Sequence, residues 1–539
     1  MNPPGPLGRT YSVTSRAPSG PTIAFVLGDQ LSRTSPALTA IRKGTDWVLM
    51  AEALEESKHV PSHRQRTCLF LSAMRHHADW LRSQGHRVRY VSLDDPDNTH
   101  SLHDELRRAA TELDAARVVM VEAGEHRVGA AIATACRKQG LALETLEDSH
   151  FLTTHAEFEA WAKGRKDLTM EYFYRQQRRR LGILVDEDGK PEGGDWNYDA
   201  DNRKAFPASG PSPRPPSPVR FEPDAITRDV MATLERMLPD APGTLESFAW
   251  PVTREQALET LKDFVSRRLA EFGPYEDAMW STEPFVYHSL LSPVLNLKLL
   301  DPRECVKAAL DAFAKGKAPL QSVEAFVRQI IGWREYIRGI YHHEGPAYEQ
   351  RNFLNAQGTL PPFYWTGDTD MACLRRCIGE VVEHGFGHHI QRLMVTGNFA
   401  LIAGVHPKAV SDWYLSMFVD AVDWVTLPNA LGMVMHADGT ATSPPVVGTK
   451  PYCASGQYIK RMSNYCKGCR YDPTLRTGPD ACPFTTLYWD FLDRHRPVFA
   501  RNHRMRTILS NLDRFEPSHL AAIRSQAVAI RVRCGISST

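Results

Sequence analysis

The chain has 539 residues, 42% of them hydrophobic and 24% charged, with a formal net charge of +1. That length exceeds what one core normally holds and predicts two to four domains at roughly 150 residues each. The mix excludes a wholly disordered chain, and the balanced charge excludes DNA affinity through bulk charge, so any such contact needs a local basic surface.

Residues 1–21, rich in Pro, Gly and Ser, lack the apolar stretch of a secretory signal and are expected to form a disordered leader on a cytoplasmic protein. No uncharged apolar run approaches a membrane span, so no membrane partner is expected. Short apolar runs at 22–27, 46–51, 88–93 and 117–122 alternate with helical spacing at 63–84 and 102–113, and Gly85 stands where a helix would stop. This alternation predicts an α/β domain over 22–150, a Rossmann-like parallel sheet whose ligands lie beyond the carboxyl ends of the strands. Gly28-Asp29-Gln30-Leu31 occupies one such end and is not a GxGxxG loop, which speaks against a dinucleotide there. Residues 151–243 are expected to be an interdomain linker, with six prolines in the twelve residues 207–218. Helical periods then dominate 244–539, most clearly at 323–341, 371–396 and 406–419, so the fold class is α/β followed by an all-α domain.

The ten cysteines are too sparse for a disulfide scaffold, yet Cys453, Cys466, Cys469 and Cys482 crowd together. Cys466-x2-Cys469, with twelve residues before Cys482 and Pro483 after it, supplies three soft ligands. A fourth thiolate comes from Cys453, Cys373 or Cys377. Zinc and an iron–sulfur cluster both suit such a set, and the apolar flank of Phe484, Leu487, Tyr488 and Trp489 favours a buried cluster.

On a continuous helix His384 and His388 share a face at zinc-like spacing, but there is no HExxH, and a helix histidine is more often bonded to a neighbour. Trp413 and Tyr414 are adjacent, diverge by about 100° on a helix, and so are expected not to share one core. Such a pair suits electron relay between a buried cofactor and the surface. Asp420 and Asp423 look like buried carboxylates in need of cations, with Arg334 and Arg338 as the expected partners. Lys460, Arg461, Lys467, Arg470, Arg494, Arg496, Arg501, Arg504 and Arg506, interleaved with Tyr452, Tyr458 and Tyr465, suit a phosphate-binding surface beside a stacking platform.

From about Ile23 to Leu509 the chain resembles the iron–sulfur bacterial cryptochromes and (6-4) photolyases of the photolyase/cryptochrome superfamily. The resemblance is carried by Leu27-Gly28-Asp29-Gln30-Leu31, Met170-Glu171-Tyr172-Phe173-Tyr174-Arg175, Gly193-Gly194-Asp195-Trp196-Asn197-Tyr198-Asp199 and His288-Ser289-Leu290-Leu291-Ser292-Pro293. Ile331-Gly332-Trp333-Arg334-Glu335-Tyr336, His388-His389-Ile390-Gln391-Arg392-Leu393-Met394 and Lys450-Pro451-Tyr452 extend it. It implies FAD in the helical domain, with His288, Ser289, Leu290, Leu291 and Ser292 at the diphosphate. Gln329, Trp333, Arg334 and Tyr336 would line the pocket, and Asp420, Asp423 and Asn429 would lie near the isoalloxazine.

The resemblance also implies a 4Fe–4S cluster on Cys373, Cys466, Cys469 and Cys482. A 6,7-dimethyl-8-ribityllumazine antenna would lie near Asp29, Gln30, Leu31, Glu52 and Glu56, and a photoreduction chain would run through Trp365, Trp413 and Tyr414. The implied activity is repair of (6-4) photoproducts in UV-damaged DNA by electron transfer from excited, reduced FAD, carried out by a monomer. His388 or His389 would supply a proton and Tyr452 would stack at the lesion. A blue-light photoreceptor without repair, or an iron–sulfur DNA-binding module without flavin, are the alternatives. Thr426 stands where the resemblance leads one to expect an acidic side chain, and Phe386-Gly387 replaces an aromatic-alanine pair before the histidines.

Overall fold

The computed structural model describes residues 20–440 and 443–537, so the expected leader lies outside the described residues up to residue 19. Strands β1 (Thr22–Phe25), β2 (Trp47–Ala51), β3 (Arg87–Val91), β4 (Arg117–Val121) and β5 (Ala142–Leu146) form a single sheet in the order β3-β2-β1-β4-β5. All pairs are parallel, with Ile23 opposite both Trp47 and Val118. Strand β5 has no counterpart among the apolar runs of the sequence because it is an edge strand, Ala-Leu-Glu-Thr-Leu, with no fully buried residue.

The two faces of the sheet do different work. Ile23, Phe25, Leu49, Val118 and Met120 pack on Leu106 and Ile132 of the helices Leu102–Glu112 and His126–Gln139. Ala24, Val48, Met50 and Val119 face Leu69 and Met74 of helix Arg64–Ser83, and that core runs without a break into the helical half. His63 caps this helix, accepting from the Gln65 amide at 3.0 Å, while its own backbone N–H bonds the Ser416 carbonyl at 2.8 Å. The cap that starts the helix thereby ties the sheet layer to the helical half.

Segment 151–243 carries three helices, His155–Ala162, Met170–Leu181 and Ala225–Met237. Thr154 and Glu157 close a capping box on the first, and Phe173 and Tyr174 are buried on the second. Only the proline-rich stretch between the second and third is an extended connector.

In the helical half, 323–341 lies within a continuous helical run that widens to i→i+5 turns over Arg328–Arg334. Two more wide segments occur at Gln391–Gly397 and Asn429–Val434, a feature common at functional sites. The helix expected over 371–396 is broken. It stops at His384, where Gly385 takes a left-handed φ of 61°, and resumes at His389. No helix among the described residues is long and apolar enough to cross a membrane.

Candidate functional site

The break after His384 turns the following histidines into the core. The His388 ring stacks on His288 with centroids 4.5 Å apart and planes 16° apart, and His389 meets His288 edge-on at 5.4 Å. His384 lies elsewhere, against Phe285 and Ser247, so the shared face expected of His384 and His388 does not form. The loop that presents His288 is strained: Val286 and Leu290 hold φ of 45° and 58°, each costing about 1–3 kcal/mol for a non-glycine residue.

His288 Nε2 and both ring nitrogens of His388 are buried without a hydrogen-bond partner. Burial holds both imidazoles well below their usual pKa, so they stay neutral. His389 differs: its side chain is 49% exposed and Nε2 lies 3.4 Å from Asp277 Oδ1. Beside it Glu276 is buried with Oε2 unpartnered, and desolvation pushes its carboxyl up to about 7. Arg328 reaches towards this rim, paired with Asp199 and 3.4 Å from Glu324. Half-buried Tyr452 and Tyr458 border it, Arg461 lying 5.5 Å over the Tyr458 ring.

Asp420 sits at the junction of three elements. Ser292 Oγ donates to it at 2.7 Å, Arg392 donates through both terminal nitrogens at 3.0 Å, and Asn296 bonds its backbone carbonyl at 2.7 Å. The expected partner Arg334 is instead engaged with His150 at 2.9 Å and Glu335 at 3.1 Å, over the Phe151 ring. Asp423 accepts from the Tyr341 hydroxyl at 2.5 Å, and Arg338 bonds the Thr153 carbonyl and Glu122. The pairing expected from sequence therefore fails, because Arg334 and Arg338 are spent on His150, Glu335, Thr153 and Glu122. Tyr336 and Trp333 meet edge-on, the Tyr336 hydroxyl donates to the Leu168 carbonyl, and its ring joins Phe158, Trp161 and Phe173. Gln329 is half-buried, Asn429 donates to the Val425 carbonyl at 2.7 Å, and Thr426 is buried. Ser289 accepts from the Leu291 amide at 3.4 Å, and Leu290 and Leu291 are buried.

Trp413 and Tyr414 are both buried, at 0% and 6% exposure, contrary to the expectation from their divergence. Helix Pro407–Met417 is enclosed on several sides, so neighbours pointing apart both meet protein. Trp413 donates to the Tyr364 carbonyl at 2.9 Å, and its ring lies 5.0 Å from Tyr364 and 5.6 Å from Phe418, over which Arg392 is placed at 4.0 Å. Trp365 is only partly buried.

Cys373 is buried among Cys482, Cys377, Cys466 and Cys469, and desolvation, followed by those thiols in that order, holds its pKa well above the usual thiol range. Helix Ala372–His384 supplies Cys373, a tight turn supplies Cys466 and Cys469, and Cys482 caps helix Pro483–Arg494. Of the other two candidates, Cys377 turns to Tyr465 and Gln391, and Cys453 interacts with Tyr488.

At the carboxyl end of the sheet Asp29 Oδ2 is buried without a partner, and a Cβ on Gly124 would collide with it. Gln30 spends its amide on the Val121 and Glu122 carbonyls, and the Leu31 amide on Leu297. Glu52 is a strut: Arg75, the Tyr90 hydroxyl and the Leu93 amide use both its oxygens. Glu56 pairs with Arg127. Of the late basic residues, Arg470, Arg494 and Arg496 are paired with acids, whereas Lys460, Arg461, Lys467, Arg501 and Arg506 are exposed.

A (6-4) photolyase of Agrobacterium fabrum is 46% identical over 507 residues, 94% of this chain and 98% of the relative. The chain belongs to the photolyase family. The model for deoxyribodipyrimidine photo-lyase-related proteins matches residues 24–250 of this photolyase-family chain. The fold agrees with a bacterial class III photolyase from Agrobacterium tumefaciens (TM-score 0.52, 17% identity, 84% of this chain and 88% of the other). It agrees equally with a Synechocystis cryptochrome (TM-score 0.53, 14% identity, 83% and 89%).

Membership in the photolyase family implies FAD. The unpartnered buried nitrogens of His288 and His388 and the Arg392–Asp420 pair suit a polar, anionic cofactor at that wall. Sequence reasoning missed Arg392, Asp277, Glu276 and Tyr364 as members of the site. Arg392 was within reach, one helical turn after His388 in the same His388–Met394 motif.

Proposed function

We propose that the protein is a light-dependent DNA photolyase acting on (6-4) pyrimidine–pyrimidone photoproducts. The observation that carries this reading is near-full-length identity to a (6-4) photolyase. The half-exposed His389, held by a carboxylate beside buried neutral imidazoles, supports it.

FAD would be held by His288, Ser289 and Ser292 of the strained loop, by Arg392 and by Asp420. When bound and reduced it supplies a light-excited electron to the lesion. Arg392, fixed by Asp420 and by the Gly387 carbonyl at 2.6 Å, places a positive charge at that wall. His389 is the proton donor in this reading, because it stands half-exposed 3.4 Å from Asp277, where solvent and DNA reach it. His388, buried and stacked on His288, is the less accessible of the pair and is assigned a place in the wall in this reading. Tyr452 offers a stacking face to an extruded base, and the exposed basic residues offer phosphate contacts.

Cys373, Cys466, Cys469 and Cys482 would hold a 4Fe–4S cluster. Donor sets that close to within 4.8 Å among the described residues are His288–His388–His389 and Glu122–His155–His342. Four cysteine ligands, of which Cys373 and Cys482 are buried beside an apolar flank that includes Phe484 and Leu487, support a cluster in this reading. A ribityllumazine antenna would meet Asp29, whose Oδ2 is unpartnered, while both oxygens of Glu56 are taken by Arg127. We further take the protein to act as a cytoplasmic monomer.

The test is repair of a (6-4)-containing oligonucleotide by reduced protein under blue light. Wild type should restore the bases only in light, and His389→Ala should abolish repair while retaining FAD. Full repair by the variant would remove His389 from the mechanism. A light-responsive flavin without repair in the wild type would make the protein a photoreceptor.

A further inference from the structure

A second cluster of ligating side chains shares no residue with the site above. Glu122 follows β4, His155 opens helix His155–Ala162, and His342 lies in the last turn of helix Glu335–Glu344. Their donor atoms all lie within 4.8 Å of one another. His155 Nε2 is 2.6 Å from Glu122 Oε2, and the His155 and His342 rings meet at 4.3 Å. A third imidazole, His126, stands 5.5 Å from His342 and is braced by stacking on Tyr341 at 4.2 Å. The cluster is reachable from solvent, with Glu122 19% and His155 32% exposed.

We propose that Glu122, His155 and His342 bind one divalent ion of the zinc class, through a carboxylate oxygen and two imidazole nitrogens. Imidazole donors select borderline transition metals over magnesium or calcium, which prefer all-oxygen shells. Two imidazoles and a carboxylate satisfy three tetrahedral positions and leave the fourth to water. The ligands come from the sheet layer, the segment that follows it and the helical half, so the ion pins all three together.

Arg338 is the internal competitor. Its guanidinium bonds Glu122 and lies 3.1 Å from His155 Nε2, supplying the positive charge that the ion would bring. When an ion enters, Arg338 keeps the Thr153 carbonyl at 3.0 Å and the Phe151 face at 4.2 Å.

The experiment titrates purified full-length protein with Zn²⁺ against a chromophoric chelator and records X-ray absorption at the zinc edge. The expected result is one zinc per chain with nitrogen and oxygen neighbours at about 2.0–2.1 Å. His155→Ala and His342→Ala should each weaken binding by about 100-fold or more, beyond the loss usual for an outer-shell partner. Arg338→Gln should tighten it by about tenfold. Should an alanine variant misfold by circular dichroism, His342→Gln gives the same readout with a smaller change in shape. A sulfur shell at about 2.3 Å would place the ion on the cysteines and overturn the proposal. So would unchanged affinity in the histidine variants or in Arg338→Gln.

Discussion

Replacing Asp420 by alanine tests whether the helical half is latched where the flavin is placed. The substitution removes the acceptor of two bonds from Arg392 at 3.0 Å and one from Ser292 at 2.7 Å. Arg392 keeps the Gly387 carbonyl and the Phe418 and Phe386 rings. Breaking a buried pair by deleting one member costs about 3–5 kcal/mol, because the survivor is stranded. Arg392 is 26% exposed and can draw water, so the lower end, about 3 kcal/mol, applies. For a helical half of roughly 300 residues the unfolding entropy is about 0.6 kcal/mol/K, which converts that loss into a melting-temperature fall of about 5 °C. Asp420→Asn keeps an acceptor for Ser292 and should lose about half as much. Thermal unfolding by circular dichroism, with released flavin measured in parallel, reads both quantities. If Asp420→Ala melts within about 1 °C of wild type and retains its flavin, the latch does not exist.

Glu276 gives a pH signature. With its folded value raised to about 7 from 4.5, the unfolded chain sheds this proton first, so stability falls as pH rises from about 4.5 through 7. Glu276→Gln escapes that loss and should be the more stable protein by up to about 3 kcal/mol at pH 8 and by under about 1 at pH 5 in urea unfolding; equal gaps at both pH values would refute it. Gly397→Ala should destabilise by about 1–3 kcal/mol, since its Cβ would lie 2.5 Å from Val434 Cγ1 and 2.6 Å from the Arg392 carbonyl oxygen; an unchanged melting curve would contradict this. Lys460→Ala with Arg461→Ala should weaken binding uniformly across DNA sequences and flatten the salt dependence by about one unit for each phosphate no longer neutralised, measured by fluorescence anisotropy. Cys466→Ser should lose protein-bound iron and sulfide, and a normal iron content would end the cluster assignment.

Much of the fold was legible because periodicity reports burial. The runs around Ile23, Val48 and Val118 are apolar on both faces, and their strands are buried on both faces. Strand β5 escaped because Glu144 and Thr145 break any apolar run, its pairing to β4 being set by the backbone. The helix start at His155 was present in the sequence as Thr154 and Glu157 but was overshadowed by the prolines that follow. Within the site, the grouping of Cys373 with the later cysteines came from motif resemblance. The partners of Asp420 and Asp423 could not, since choosing among Arg334, Arg338 and Arg392 requires knowing where helices widen or break. Glu52, which the resemblance implied to lie near an antenna, spends its oxygens on Arg75, the Tyr90 hydroxyl and the Leu93 amide, contacts that no local pattern foretells.

Each of the three wide turns behaves as an extra residue absorbed without forming a loop. Deleting one residue between Gln391 and Gly397 would let that stretch relax to ordinary 3.6-residue winding, but everything from Asn398 onward would swing by about 100° around the axis. Phe399 and Ile402 would then leave the interior while Asn398 lost its bonds to Ala454. Chains that differ here by a single-residue gap are therefore expected to carry a compensating insertion within the same few turns, so that the phase of the helix is inherited even where its letters are not.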